Sequence, residues 1–146
     1  MEQQRMTAVL LSVKPQFARR LLSGTKTAEV RRRFPELPSG TVVYLYASSP
    51  MRAVIGVLKI RRVHTGTPQW LWPKFGKQLD ISEEYFHGYL AGRDAAAVIE
   101  LQRAEQWERP VALDDLRTGL GVQAPQSYRY LSSELEQALR RLSAAG

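Results

Sequence analysis

Two runs rich in β-branched and aromatic residues, Thr41–Ser48 (TVVYLYAS) and Ala53–Gly66 (AVIGVLKIRRVHTG), are separated only by the turn-forming segment SPMR. Branched and aromatic side chains favour a pleated backbone, and so short a connection turns the second run back on the first. An antiparallel pair is therefore the frame that the other elements have to fit.

Met6–Val13 (MTAVLLSV) reads as a buried first strand. A helix follows, with Pro15 near its start, Phe17 with Leu21 and Ala18 with Leu22 at i,i+4, and Gly24 just past its end. Its other face carries Arg19 and Arg20. Thr67 as N-cap and Pro68 at the first helical position predict a second helix, which Pro73 should keep short and irregular. Ser82, Glu83, Glu84 and Gly92 frame a better-formed third helix. Ala95–Trp107 reads as a further strand, and Phe34–Gly40 (FPELPSG) as a flexible loop. Leu131, Leu135, Ala138, Leu139 and Leu142 predict an amphipathic C-terminal helix over 132–144, behind a core spanning 6–131. Strands on both sides of a helical insertion predict an α+β fold: a small mixed β-barrel with flanking helices, in one domain covering 1–146.

With 21 Lys+Arg against 14 Asp+Glu, the net charge of +7 attracts polyanions. The chain has no cysteine, which excludes disulfides, thiolate zinc sites and a cysteine nucleophile. The two histidines, His64 and His87, do not make a metal cluster, so neither metal nor cofactor is expected. No signal-peptide pattern is present, and no stretch reaches the ~18 apolar residues of a membrane span. A cytoplasmic protein without a membrane partner is expected.

The densest chemistry lies in GTKTAEVRRR, Gly24 to Arg33. If Thr27–Arg33 is a strand, Thr27, Glu29, Arg31 and Arg33 share one face while Ala28, Val30 and Arg32 share the other. Ala28 and Val30 suit the core, leaving Glu29 and Arg31 either as a solvent-exposed pair or aimed into a polar cavity. Lys26 can converge on Glu29 only if it lies in the turn after Gly24, before the pleat begins. In a pocket, Lys26 would meet an anionic or carbonyl group, and Glu29 would bind an amine or activate a water.

Other groups carry two readings each. Ser48 and Ser49 either cap a turn or hold a phosphate or base edge. Gln126, Ser127, Tyr128 and Arg129 form either an arm packed on the sheet or an amide, hydroxyl and ring set able to read a base. Lys14, Arg19, Arg20, Arg31, Arg32 and Arg33 form a solvated face or a phosphate-binding rim. Trp70, Trp72 and Phe75 near Lys74 and Lys77 suit single-strand stacking, although the spacing of Trp70 and Phe75 also suits a core. His64 and His87 show no partner carboxylate by spacing, and Arg93 with Asp94 after Gly92 reads as a local pair at a helix stop.

Gly24, Lys26, Glu29 and Arg31, as G-x-K-x-x-E-x-R, resemble the signature of the ASCH (activating signal cointegrator homology) family of the PUA-like superfamily. LLSVKPQFARRLLSG, YLYASSP, YLAGRDAAAVIEL and APQSYRYL extend the resemblance from Val9 to Leu131. It implies a β-barrel with flanking helices and a cleft beside the first helix, lined by the signature. PUA-like relatives bind RNA or modified nucleobases. One ASCH branch is an amidohydrolase acting on acetylated cytidine, and another member is described as a ribonuclease. The amidohydrolase lysine falls on Lys26, but its threonine falls on Glu29, and Asp80 is only the nearest candidate for its acidic partner.

The expected function is binding of RNA, single-stranded DNA or a modified nucleobase in a basic cleft. Lys26, Glu29 and Arg31 would form its floor, Ser48, Ser49, Gln126 and Ser127 its edges, and Tyr128 a stacking wall. The alternative is a metal-independent hydrolase of a modified nucleoside or of RNA, using Lys26 and Glu29, with His64 as a candidate base for RNA cleavage. Whether the chain is an enzyme stays open at this level. A protein partner in transcription or translation is a third reading.

Overall fold

The computed structural model describes residues 6–144. The predicted antiparallel pair is present: β3 (Val42–Ala47) and β4 (Ala53–Gly66) pair from Val42↔Lys59 to Ala47↔Ala53, with a register shift between Leu45 and Tyr46. β1 (Met6–Val13) lies parallel to β3 on its other side, and β6 (Tyr128–Ser132) is antiparallel to β1. Beyond β4 come β5 (Ala96–Ala112) and then β2 (Ala28–Arg31), both antiparallel to their neighbours. The sheet order is β2-β5-β4-β3-β1-β6.

This corrects the expectation of a closed barrel. β2 and β6 are the two edges, and no ladder joins them among the described residues. Side chains span the seam instead: Arg31 on β2 donates from Nη1 to Ser127 Oγ (3.2 Å) and from Nη2 to the Ser12 carbonyl (2.7 Å). Phe34 and Tyr128 meet edge to face across it, with centroids 5.0 Å apart. β2 has only four residues, against the seven expected from Thr27 to Arg33, and is too short to complete a ring of main-chain hydrogen bonds.

Three apolar clusters fix the helices. α1 (Pro15–Ser23) buries Ala18, Leu21 and Leu22 against Leu45, Ile55, Leu58 and Ile99. Gly56 permits that approach, because a Cβ there would lie 2.5 Å from the Glu105 carbonyl oxygen and 2.8 Å from Leu22 Cδ2. α5 (Ser133–Ala144) covers Ala8, Leu10 and Tyr44 with Leu139, beside the short α4 (Leu113–Asp115) and the π-helical turn that follows it at Leu116–Leu120. Leu131 belongs to β6 and not to this helix, so the terminal helix starts later than its apolar pattern implied.

α2 (Pro68–Leu79) and α3 (Glu83–Tyr89) cover β2 and part of β5, burying Leu71, Phe75, Leu79, Phe86 and Leu90 on Ala28, Val30 and Val98. α2 was expected to be short, yet it continues through Pro73 for another turn and a half. Leu71, Phe75 and Leu79 at i, i+4 and i+8 anchor it to the sheet, which outweighs the hydrogen bond that Pro73 cannot make. The loop Phe34–Gly40 is also tied down, with Phe34 buried and Leu37 packed against the core. Among the described residues no helix is long and apolar enough to cross a membrane.

Candidate functional site

α1 ends at Gly24, whose φ of +89° is the left-handed conformation that glycine adopts without strain. The amides of Gly24 and Lys26 both donate to the Arg20 carbonyl (3.0 and 3.1 Å), so the chain doubles back before it becomes extended. β2 begins only at Ala28. Lys26 therefore escapes the pleat, and its ammonium reaches the side on which Glu29 and Arg31 project.

There the three side chains form a buried charge triad. Lys26 Nζ lies 3.3 Å from Glu29 Oε1, and Arg31 Nη2 lies 2.9 Å from Glu29 Oε2. Lys26 Nζ also donates to the Leu79 carbonyl at the end of α2 and sits 5.1 Å from the centroid of the Phe17 ring. Lys26 is 1% exposed, and Glu29 at 6% with Arg31 at 9% rules out the solvated Glu29–Arg31 pair that spacing alone allowed. Burial pulls the Lys26 ammonium below its ordinary value, with Glu29 and then Asp80 opposing the shift and Arg20 adding slightly to it.

Donor capacity separates the arginines. Every nitrogen of Arg31 is engaged: Nε and Nη2 by Glu29, Nη2 also by Ser12, and Nη1 by Ser127. Both carboxylate oxygens of Glu29 face cations, so a water-activating role for Glu29 would first require one of these contacts to be released. Arg31 and Glu29 thus fix the floor, and the free polar atoms lie around it.

The triad opens into a cleft of about 570 Å³. Phe17 on α1 and Tyr85 and Tyr89 on α3 form an aromatic wall, with Phe17 and Tyr85 edge to face at 5.6 Å and the two tyrosine rings nearly parallel at 6.5 Å. Lys14 Nζ reaches the Tyr85 hydroxyl at 3.4 Å. Ser12, Ser48, Gln126 and Ser127 line the cleft from the β1–β6 side, while Arg32, Arg33 and Arg93 line it as a basic group.

Of the residues singled out from sequence, Lys14, Lys26, Glu29, Arg31, Arg32, Arg33, Ser48, Gln126 and Ser127 line this one cleft. Arg19 and Arg20 do not, since they lie on the exposed face of α1, with Arg20 donating to the Asp80 carbonyl at 3.0 Å. Ser49 is exposed in the β3–β4 turn, ahead of a cis peptide bond to Pro50. Tyr128 packs against Phe34 and the core, and Arg129 donates to the Tyr130 carbonyl, so neither lines the cleft. The wall comes instead from Tyr85 and Tyr89. Their i,i+4 spacing, off the buried stripe of Phe86 and Leu90, is the signal that could have identified them.

His64 lies outside the cleft, bonded to Glu100 at 2.5 Å and packed on Phe75, which removes it as a base for chemistry there. His87 also has a carboxylate partner, Glu83 one helical turn earlier. Trp70 is 46% exposed with Lys74 Nζ 4.5 Å from its ring centroid, whereas Phe75 is buried. Arg93 makes no ion pair with Asp94, and its Nη2 donates to the Arg32 carbonyl at 3.2 Å. Among the described residues no group of three or more His, Asp or Glu side chains is arranged to hold a metal.

The profile of a family described as a domain of unknown function (DUF365) matches residues 6–121. The chain is 33% identical over 135 residues to a Zymomonas mobilis protein named ASCH domain-containing ribonuclease, an alignment covering 92% of this chain and 90% of that protein. The crystal structure of ASCH from Zymomonas mobilis superposes with a TM-score of 0.87 at 32% identity, covering 94% of this chain and 96% of that one. The large ribosomal subunit protein uL22 of Ureaplasma parvum is 23% identical over 130 residues, which span 89% of this chain and 41% of that protein. With the signature triad buried at the floor of one cleft and similarity running nearly end to end, the chain belongs to the ASCH domain family.

Proposed function

We propose that the protein binds RNA and receives one unpaired nucleobase in the cleft floored by Lys26, Glu29 and Arg31. The observation that carries this reading is the meeting, in one cavity of about 570 Å³, of an aromatic wall, fixed polar groups and a basic rim. Proteins recognise unpaired RNA bases by stacking them on aromatic rings and hydrogen-bonding their edges, and hold the backbone through Lys and Arg. Phe17, Tyr85 and Tyr89 supply the rings, and Ser48, Gln126 and Ser127 the edge contacts. The net charge of +7 supplies long-range attraction, and the relative named a ribonuclease supports RNA over other polyanions. Titration of single-stranded RNA at two salt concentrations tests it: affinity should fall steeply with salt and drop when Tyr89 is replaced by alanine. Absent binding, or binding indifferent to Tyr89→Ala, would refute it.

A second reading, strand cleavage, is favoured by Lys26. Its burial supports a neutral amine nearer physiological pH than an ordinary lysine. Such an amine would take the proton of a ribose 2′-hydroxyl. The 2′-oxygen would attack the adjacent phosphorus, the bond to the 5′-oxygen would break, and that oxygen would take a proton from water, leaving a 2′,3′-cyclic phosphate. End-labelled RNA incubated with the wild type and Lys26→Met tests this reading. A cyclic-phosphate product whose rate rises with pH in the wild type and disappears in the variant supports it, and intact RNA with intact binding eliminates it.

A further inference from the structure

Arg93 carries a donor that nothing in the fold accounts for. Its backbone is set by the turn after α3, where its amide donates to the Leu90 carbonyl at 2.9 Å. Its Nη2 is spent on the Arg32 carbonyl, yet its Nε is buried without a hydrogen-bond partner among the described residues. A buried donor on a cation is expensive to leave unmatched, so it marks a place where an acceptor belongs. Arg93 lines the same cleft as Arg32 and Arg33.

Arg32 is held in place from below. Its Nε donates to the Tyr89 carbonyl (3.1 Å) and its guanidinium sits 4.3 Å from the centroid of the Tyr89 ring, which leaves both Nη groups without an acceptor among the described residues. Among the described residues the Arg33 side chain makes no hydrogen bond or ion pair, and it is exposed. Arg31, beside them in sequence, is the opposite case, with every nitrogen occupied. The cleft thus divides by donor availability into a saturated floor around Glu29 and an unsaturated end with three guanidinium groups and no carboxylate bonded to any of them. Three planar forks with free N–H groups match the oxygens of a phosphate group.

We infer that this end of the cleft is a phosphate subsite, in which Arg93 Nε, with the free donors of Arg32 and Arg33, holds a phosphate of the ligand whose base lies against Tyr85 and Tyr89. The inference rests on the base-binding reading above and deepens it: the cleft grips a phosphate next to the bound base, so phosphorylated ligands are preferred to unphosphorylated nucleosides. Arg32 joins the two parts, since its guanidinium stacks on Tyr89 and its carbonyl accepts from Arg93.

Three probe sets test it: the four ribonucleosides, their 5′-monophosphates and dinucleoside monophosphates, with inorganic phosphate alongside. Binding is followed by calorimetry and by the side-chain Nε–H resonance of Arg93. The phosphorylated probes should bind at least tenfold more tightly than the nucleosides and shift that resonance saturably. Arg93→Met should abolish the difference while changing nucleoside affinity less than twofold, with Arg93→Lys falling between. If dinucleoside monophosphates bind more tightly than mononucleotides, the subsite takes a backbone phosphodiester, and the reverse order assigns it a terminal phosphate.

Nucleosides that bind as tightly as their monophosphates, or an Arg93 resonance indifferent to every phosphate, would overturn the subsite and leave the base-binding reading standing. Phosphate-dependent shifts with no binding contribution from any base would refute the base reading while the subsite survives. Arg33→Met, at an exposed residue without protein partners, repeats the comparison if Arg93→Met does not fold; loss of the phosphate preference supports the subsite, and its full retention counts against it.

Discussion

Replacing Glu29 with glutamine removes one charge and leaves two buried cations facing the same amide. In the wild type the carboxylate lies 3.3 Å from the Lys26 ammonium and 2.9 Å from the Arg31 guanidinium. At an effective dielectric constant of ~20, each contact corresponds to roughly 5 kcal/mol of gross attraction, which desolvation of the ions offsets in large part. Lys26 has an escape in the variant, because it can release its proton at about 1.4 kcal/mol per pH unit between its pKa and the ambient pH. Arg31 has none, but keeps its bonds to Ser12 and Ser127. The expected loss at pH 7 is about 3–5 kcal/mol, the range found when one partner of a buried ion pair is removed. Urea denaturation followed by tryptophan fluorescence, at unchanged denaturant slope, measures it. The deficit should also shrink with pH. In the variant the folded-state pKa of Lys26 falls further below its ordinary 10.5, so the penalty is complete below that folded value and is relieved as pH rises through it. A loss under about 1 kcal/mol, or a deficit constant from pH 7 to pH 9.5, would refute the buried-triad account.

Wild-type stability itself should increase with pH from the depressed folded-state pKa of Lys26 towards 10.5, and Lys26→Met should flatten that rise in the same denaturation experiment. Above pH 10 the Tyr44 phenol, pushed up by burial and by its bond to Glu136, acts in the opposite direction, so the Lys26 effect is read below that pH. Tyr85→Ala should weaken RNA binding by about 1–3 kcal/mol while leaving the melting temperature nearly unchanged, because the ring is 38% exposed. Arg33→Met should lower the slope of log affinity against log salt by about one contact, with no change in denaturant midpoint. Gly56→Ala should destabilise by about 1–3 kcal/mol, since its Cβ meets main chain as well as Leu22.

The local geometry of the signature could be read from the chain because it depends on short-range rules. Glycine stops the helix, the turn keeps Lys26 out of the pleat, and the two-residue period puts Glu29 and Arg31 together. The partners of these residues could not be read in the same way. His64 meets Glu100 through a β4–β5 register shifted by a bulge between Ile60 and Arg62, and no spacing rule counts through a bulge. Adjacency in the chain suggests a local Arg93–Asp94 pair, but the turn after α3 sends the Arg93 side chain to the Arg32 carbonyl. Tyr128 suited a stacking wall by composition, yet the seam between β6 and the Phe34 loop claims it for packing. The barrel failed for a related reason: five of the six strands were legible, β6 lay in a segment that read as an arm, and the length of β2 depends on where the turn after α1 ends.

The two margins of the sheet are fastened by a guanidinium, and not by a run of peptide groups. A peptide ladder opens only rung by rung, whereas this join can slacken when one side chain changes acceptor. Any guest oxygen that competes for Arg31 Nη1 or Nη2 draws directly on its bonds to Ser127 and Ser12. The two outer nitrogens of Arg31 thus serve both the floor of the hollow and the join between the sheet's margins.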